Sequence, residues 1–258
     1  MPEIAALLTH ARFERERIPG IPAELAPADV AAAYRMQGEV VDAWRVRLDS
    51  ELAGYKIACT NAIAQKHLGT DSPFYGRLFE KTVWRSPARI DPDPYFMRVL
   101  EPEFGFRMAA GLPAREEPYS REEVEAAVGA VMPAIELVDS RYTEWTTVGL
   151  RSLIVDNACH AGWVHGPVTE DWRGIDLAGH HVSLSINGAL KSTGTGAAVL
   201  GHPLIALTWL ANRLREGGSG LGAGDRITTG VCTDIAYGFP GDQVVADFGV
   251  LGAVEIRF

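Results

Sequence analysis

The chain has 258 residues, enough for one large domain or two small ones, and its 47% apolar and 22% charged residues are the balance of a globular protein with a sizeable core. A formal net charge of −9 without any cluster of Lys and Arg argues against nucleic acid, because phosphate contacts need a cationic face. No stretch reaches the ~20 apolar residues of a membrane span, and three well-separated cysteines, Cys59, Cys159 and Cys232, give neither a disulfide framework nor a CxxC zinc site.

The first segment, "MPEIAALLTHARFERERI", lacks the basic start and long apolar run of a secretory signal, so a reducing cytoplasm is the expected compartment. The first 50 or so residues read as helical. Val30, Tyr34, Val41 and Trp44 recur at helical spacing behind a start at Pro27 and Asp29. From Gly54 the pattern changes. "GYKIACT" reads as a short strand and "GTDSPFYGRL" as a turn-rich stretch, with "TVWRSPARI" and "YFMRVLEPEFGFRMA" as further strands. "SREEVEAAVGAV" has the Ser120 and Glu123 spacing of a capping box, and "MPAIELVDSRY" returns to strand. "VSLSINGALKSTGTG" predicts a hairpin around Asn187-Gly188, and "HPLIALTWLANRLREG" an amphipathic helix stopped by Gly217 and Gly218. Three short strands, "DRITTGVC", "DQVVADFG" and "GAVEIRF", close the chain. The expected class is α+β, with a helical N-terminal region over residues 1–50 and a β-rich catalytic domain over residues 51–258.

The informative residues are acids in apolar company. On a strand over residues 99–107, Glu101 and Glu103 share one face, ~7 Å apart, while Leu100, Pro102 and Phe104 face the other way. Glu136 sits between Ile135 and Leu137. Buried carboxylates need neutralising. Three of them with few bases nearby suit a hard cation with oxygen ligands, Mg2+ or Mn2+, that keeps positions open for water or substrate. The competing reading is a plain solvent face on an antiparallel strand, and E-x-E alone does not exclude it.

The ordered segments "GYKIACT", "EPEFGFRM", "PAIELVDSRY", "LIVDNACHAG", "NGALKSTGTGAAVLGHPLIALTWLANRL", "LGAGDRITTG" and "GDQVVADFGVLGAVEIRF" resemble the fumarylacetoacetate hydrolase superfamily, and within it the 2-keto-4-pentenoate (2-hydroxypenta-2,4-dienoate) hydratase group. The resemblance spans nearly the whole chain. It implies a mixed β-roll core, a homo-oligomer, and a divalent metal, usually Mg2+, on Glu101, Glu103 and Glu136. It also places Lys56 of "GYKI" in the active site, where a partly buried Lys can transfer protons or steady an enolate oxygen. The loop with Phe74 and Tyr75 becomes a pocket wall, and Phe74 stands where many such hydratases carry an acid. Cys159 takes the place of a substrate-holding Ser. The run "GALKSTGTGAAVLG" reads as a loop that closes the pocket, with Lys191 and Thr193 as candidates for the substrate carboxylate or as plain solvent-facing residues. His160 is a candidate acid or base, or a satisfied core histidine.

The implied activity is hydration of a 2-hydroxyalka-2,4-dienoate to a 4-hydroxy-2-oxo acid in aromatic catabolism. Acylpyruvate-type C–C hydrolysis and 2-oxo-acid decarboxylation use the same metal-held enolate and stay open. So does a small-acid binding protein without turnover, which Phe74 favours.

Overall fold

The structure is a computed structural model and describes residues 1–258. Helix α1 (Glu3–Phe13) is followed by α2 (Val30–Leu48), whose first turn is capped by Asp29 accepting the Ala32 N–H at 2.7 Å. Then come β1 (Leu52–Ala58), α3 (Ala62–Leu68), β2 (Phe74–Phe79), β3 (Val83–Arg85), β4 (Ala88–Arg89) and β5 (Val99–Met108). Helix α4 (Arg121–Ala127) carries the predicted capping box and passes directly into β6 (Val128–Val138). After α5 (Leu150–Val155) and β7 (His160–His165), the hairpin β8 (His181–Ile186) to β9 (Ala189–Thr195) turns at Asn187 and Gly188, both at positive φ as a tight hairpin requires. The chain ends with α6 (Pro203–Glu216), β10 (Arg226–Val231), β11 (Ala236–Tyr237), β12 (Gln243–Asp247) and β13 (Ala253–Arg257).

The strands form two mixed sheets. The larger runs β2-β1-β10-β5-β6-β7-β3, with β11 added to β5, and the smaller runs β4-β13-β12-β8-β9. One face of the large sheet, with Ile57, Leu100, Phe104, Phe106, Ile135 and Leu137, shares a core with Leu184, Val244 and Ile256 of the small sheet and with α6. The opposite face carries Lys56, Glu101, Glu103 and Glu136. A second core joins Leu8, Val40, Val41 and Trp44 of the N-terminal helices to Phe79, Val99 and Leu153. The expected change from helix to strand near residue 50 falls between α2 and β1, and the two parts share this second core.

Several local expectations need correcting. The turn-rich stretch holds strand β2, and a helix, α3, precedes it after Asn61, whose side chain caps it. The predicted strand over residues 82–90 splits into β3 and β4, which join different sheets. Strand β6 ends at Val138, before "DSRY", and begins as early as Val128, where the helix was expected to continue. It is buried along nearly its whole length on both faces, so Glu136 has no solvent face to occupy.

Candidate metal centre and cavity

Strand register assembles the acids. Glu101 pairs directly with Glu136 across β5 and β6, and Glu103 lies two residues further along β5 on the same face. Ligand oxygens of all three lie within 4.8 Å of one another. Glu103 and Glu136 are 0% exposed, and Glu101 is half-buried beside the cavity described below.

Each buried acid has one oxygen tied down and one left over. Glu103 Oε2 accepts from the Thr228 hydroxyl and from the Gly230 N–H at 2.8 Å. The second bond depends on a break in β10, where register shifts between Thr228 and Val231 and Gly230 adopts φ +108. A side chain at residue 230 would collide with the Thr60 side chain, so glycine is required there. Glu136 Oε1 accepts from Lys56 Nζ at 3.2 Å and from His160 Nδ1 at 2.8 Å. Glu103 Oε1 and Glu136 Oε2 are buried without any hydrogen-bond partner. Orphaned buried carboxylate oxygens are costly and call for a ligand. Three carboxylates against one ammonium leave a surplus of two negative charges, which a divalent cation on Glu101, Glu103 and Glu136 would balance.

Electrostatics agree. Burial raises Glu101 and Glu136 to about 7, with Lys56 opposing the rise, and burial plus its two acidic neighbours pushes Glu103 well above the ordinary carboxylate range. Burial pulls the Lys56 ammonium down, but the three carboxylates outweigh it and hold it above its ordinary value. His160 is pushed well below its usual value by burial, Lys56 and two arginines, so it is neutral and its Nδ1–H donates to Glu136.

Lys56 is 2% exposed and its Nζ also donates to the Ala158 carbonyl at 2.9 Å. That carbonyl is aimed by an unusual turn: Asn157, Ala158 and Cys159 all have positive φ, at 51, 52 and 58. Left-handed non-glycine residues cost roughly 1–2 kcal/mol each. The Asn157 side chain offsets this by bonding to β2 like a strand neighbour, accepting the Arg77 N–H at 2.7 Å and donating to the Arg77 carbonyl at 2.9 Å.

A cavity of about 670 Å3 opens over the ends of β1, β6 and β10, and 17 of its 27 lining residues are hydrophobic. Lys56, Glu101, Phe74, Cys159 and Thr193, all singled out in the sequence, line it. The other predicted substrate contacts do not. Tyr75 neighbours Phe74 on β2 and therefore faces the other way, stacked on Tyr34 at 4.3 Å. Lys191 lies exposed on β9, two residues short of the part that reaches the cavity. His160 does not line the cavity; it sits behind Glu136, with its Nδ1 2.8 Å from Oε1. Cys159, Cys59 and Cys232 all line the cavity, but burial raises each thiol, Cys59 to about 12, so none is poised as a nucleophile. The sequence reading missed Asn157, Thr228 and Gly230 as supports, and Ile63, Leu68 and Trp145 as walls; "RITTGV" was legible only as part of a longer motif.

Comparison with known proteins gives the same picture. The family described as fumarylacetoacetate (FAA) hydrolase C-terminal matches residues 87–258. A 2-keto-4-pentenoate hydratase of Paraburkholderia xenovorans (strain LB400) is 34% identical over 214 residues, 83% of this chain and 78% of its own. The 2-oxo-hept-4-ene-1,7-dioate hydratase of Escherichia coli is 30% identical over 262 residues, 99% of this chain and 96% of its own. The solved structure of 4-oxalocrotonate decarboxylase from Pseudomonas putida G7, complexed with magnesium and adipate, matches with a TM-score of 0.91 at 28% identity, covering 99% of this chain and 95% of that one. With its acids converging on one face of a mixed sheet and a match over its C-terminal two-thirds, the chain belongs to the fumarylacetoacetate hydrolase family.

Proposed function

We propose that the protein is a Mg2+-dependent hydratase that converts a 2-hydroxyalka-2,4-dienoate to a 4-hydroxy-2-oxo acid, with Mn2+ as the alternative metal. The observation that carries this is the pair of orphaned oxygens, Glu103 Oε1 and Glu136 Oε2, beside a buried ammonium at a cavity wall. The relatives' names support the choice of reaction. When bound, the metal supplies Lewis-acid stabilisation of the negative charge that develops on the 2-oxygen.

The chain's own residues do the rest. Lys56 is the buried cation of the cavity wall and carries the proton that moves to and from the dienol carbon chain. Glu136 Oε1 and the Ala158 carbonyl fix where that ammonium points. Phe74 carries no proton and offers a dry wall, where an acid would stand in many hydratases of this kind. Thr193 lies within the lining to meet the acid head. The overall change is balanced: the enol proton leaves, a proton arrives at the far end of the diene, and water adds OH at C4 and H at C3.

A second reading, decarboxylation of an unsaturated 2-oxo diacid, is favoured by the structural match to the decarboxylase. Incubation of the Mg2+-loaded protein with 2-hydroxypenta-2,4-dienoate and with 4-oxalocrotonate separates the two. Hydration removes the dienol absorbance and yields a 4-hydroxy-2-oxo acid without gas. Release of CO2 from the diacid, with the dienoate untouched, replaces the first reading by the second. We also place the protein in the cytoplasm as a homo-oligomer, which light scattering of the purified chain tests; no helix is long and apolar enough to cross a membrane.

A further inference from the structure

The cavity is far larger than a 2-oxo acid head requires. Its volume of about 670 Å3 is of the size that encloses drug-like molecules, roughly 300–1,000 Å3. Register tells where the extra space lies. Phe74 pairs with Ala58, two residues beyond Lys56 on β1, and Val138 lies two residues beyond Glu136 on β6. At ~3.3 Å per residue each is ~7 Å further along its strand than the group that meets the head. Beyond the end of β1, helix α3 adds Ile63 and Leu68 to the wall.

The wall at this far end is apolar, and its charges have the wrong sign for a second carboxylate. The charged lining residues are Lys56, Glu101 and Asp234, with no arginine among them. Lys56 is already engaged by Glu136 and Ala158. His67 is the one other basic side chain in the lining, and both it and Asp234 are exposed, so neither is a desolvated anchor. A second carboxylate on the substrate would leave water for an apolar wall with no fixed cation to meet it.

We infer that the site selects 2-hydroxydienoates with a single carboxylate and an uncharged alkyl or aryl far end, and that Phe74, Val138 and Leu68 form the subsite for that end, with Ile63 at its exposed mouth. This rests on the reading that the acids receive a 2-oxo acid head. It distinguishes this chain from the relatives whose names specify a dioate or whose structure holds adipate.

The test uses two saturated six-carbon acids that cannot be hydrated and differ only at the far end, 2-oxohexanoate and 2-oxoadipate. Both are titrated calorimetrically into the Mg2+-loaded full chain. The monoacid is expected to bind about tenfold or more tighter, within the range by which pockets discriminate substrates. Ile63 is 81% exposed, so Ile63→Arg leaves the fold intact while adding a cation to the subsite. It should tighten the diacid several-fold relative to the monoacid. Equal or tighter binding of the diacid by the unaltered chain overturns the inference and leaves the hydratase reading standing. A ratio untouched by Ile63→Arg overturns the assignment of the subsite. The expected ratio without hydration of any dienoate ends the hydratase reading and keeps the selectivity. Binding of neither acid ends both.

Discussion

Two clusters of buried charge flank the turn at residues 156–160, and they follow opposite rules. In one, Arg141 meets Asp156 through Nε at 2.5 Å and through the main-chain carbonyl at 2.9 Å, while Ser140 and the Arg141 N–H bond the other carboxylate oxygen. Asp139 accepts two backbone N–H groups, and the Arg12 and Arg141 guanidiniums both lie over the Trp44 ring, at 4.4 and 5.0 Å. Two cations face two anions and both carboxylates are bonded. In the other cluster three carboxylates face one ammonium, and two oxygens are bonded to nothing. Both are equally hidden from water, so burial alone does not mark a functional site. Imbalance does: a scaffold closes its charge and hydrogen-bond accounts internally, and a site leaves room for what it binds.

The sharpest way to break this comparison is to treat the clusters alike. Glu103→Gln keeps an oxygen for Thr228 and Gly230 but removes one surplus charge. It should weaken Mg2+ binding by about a hundredfold or more, since even residues behind metal ligands contribute 10–100-fold. At pH high enough to ionise Glu103 it should also raise the melting temperature of the metal-free protein, by about 2–4 °C for each kcal/mol of repulsion relieved. Calorimetry and thermal melts in chelator check both, and a destabilised metal-free variant would show that the acids are scaffold after all. Asp156→Asn should do the reverse. Breaking a saturated buried pair costs about 3–5 kcal/mol, read from urea unfolding with metal absent. A variant as stable as the unaltered chain would remove the distinction between the clusters.

Asn157→Ala sharpens the comparison at the boundary between them. It removes two hydrogen bonds that hold the left-handed turn on β2, at about 1 kcal/mol each, and so frees the carbonyl that orients Lys56. We expect kcat to fall about tenfold with KM little changed; a rise in KM alone would show that the turn only shapes the pocket. The smallest effect belongs to charges in water. The exposed Glu123 carboxylate is held down to about 2 by its bonds to the Arg115 guanidinium and the Ser120 N–H. Its contribution to stability is therefore present above its ordinary pH range and lost as pH falls from about 4.5 toward 2. Glu123→Gln should flatten that stretch of the acid-unfolding curve slightly and leave Mg2+ affinity unchanged.

Much of this was legible in the chain. Strand periodicity put Glu101 and Glu103 on one face, but for Glu136 it left a solvent face open, which only the burial of β6 on both sides closes. The Asn187-Gly188 hairpin and the Ser120 capping box also formed as read. Position along a strand misled where direction mattered. Phe74 and Tyr75 are adjacent on β2, so at most one of them faces the cavity, a constraint the sequence already contained. Strand β7 and its His160 were harder, because a left-handed turn of three non-glycine residues has no propensity signal and decides which way the histidine points. Helix α3 was missed because it is short and carries no fully buried residue; its apolar residues line the cavity, and only Ala64 and Leu68 also pack against the second core.

The Lys56 ammonium has three N–H bonds, and two are already spoken for by Glu136 and Ala158. On the proposed role, only the third is free to leave, and it has one direction of departure. In heavy water the isotope should therefore enter the product from a single side, and a carbon that receives it beside two unlike substituents should acquire one handedness. The fold would then write stereochemistry into a position where the unlabelled product shows none.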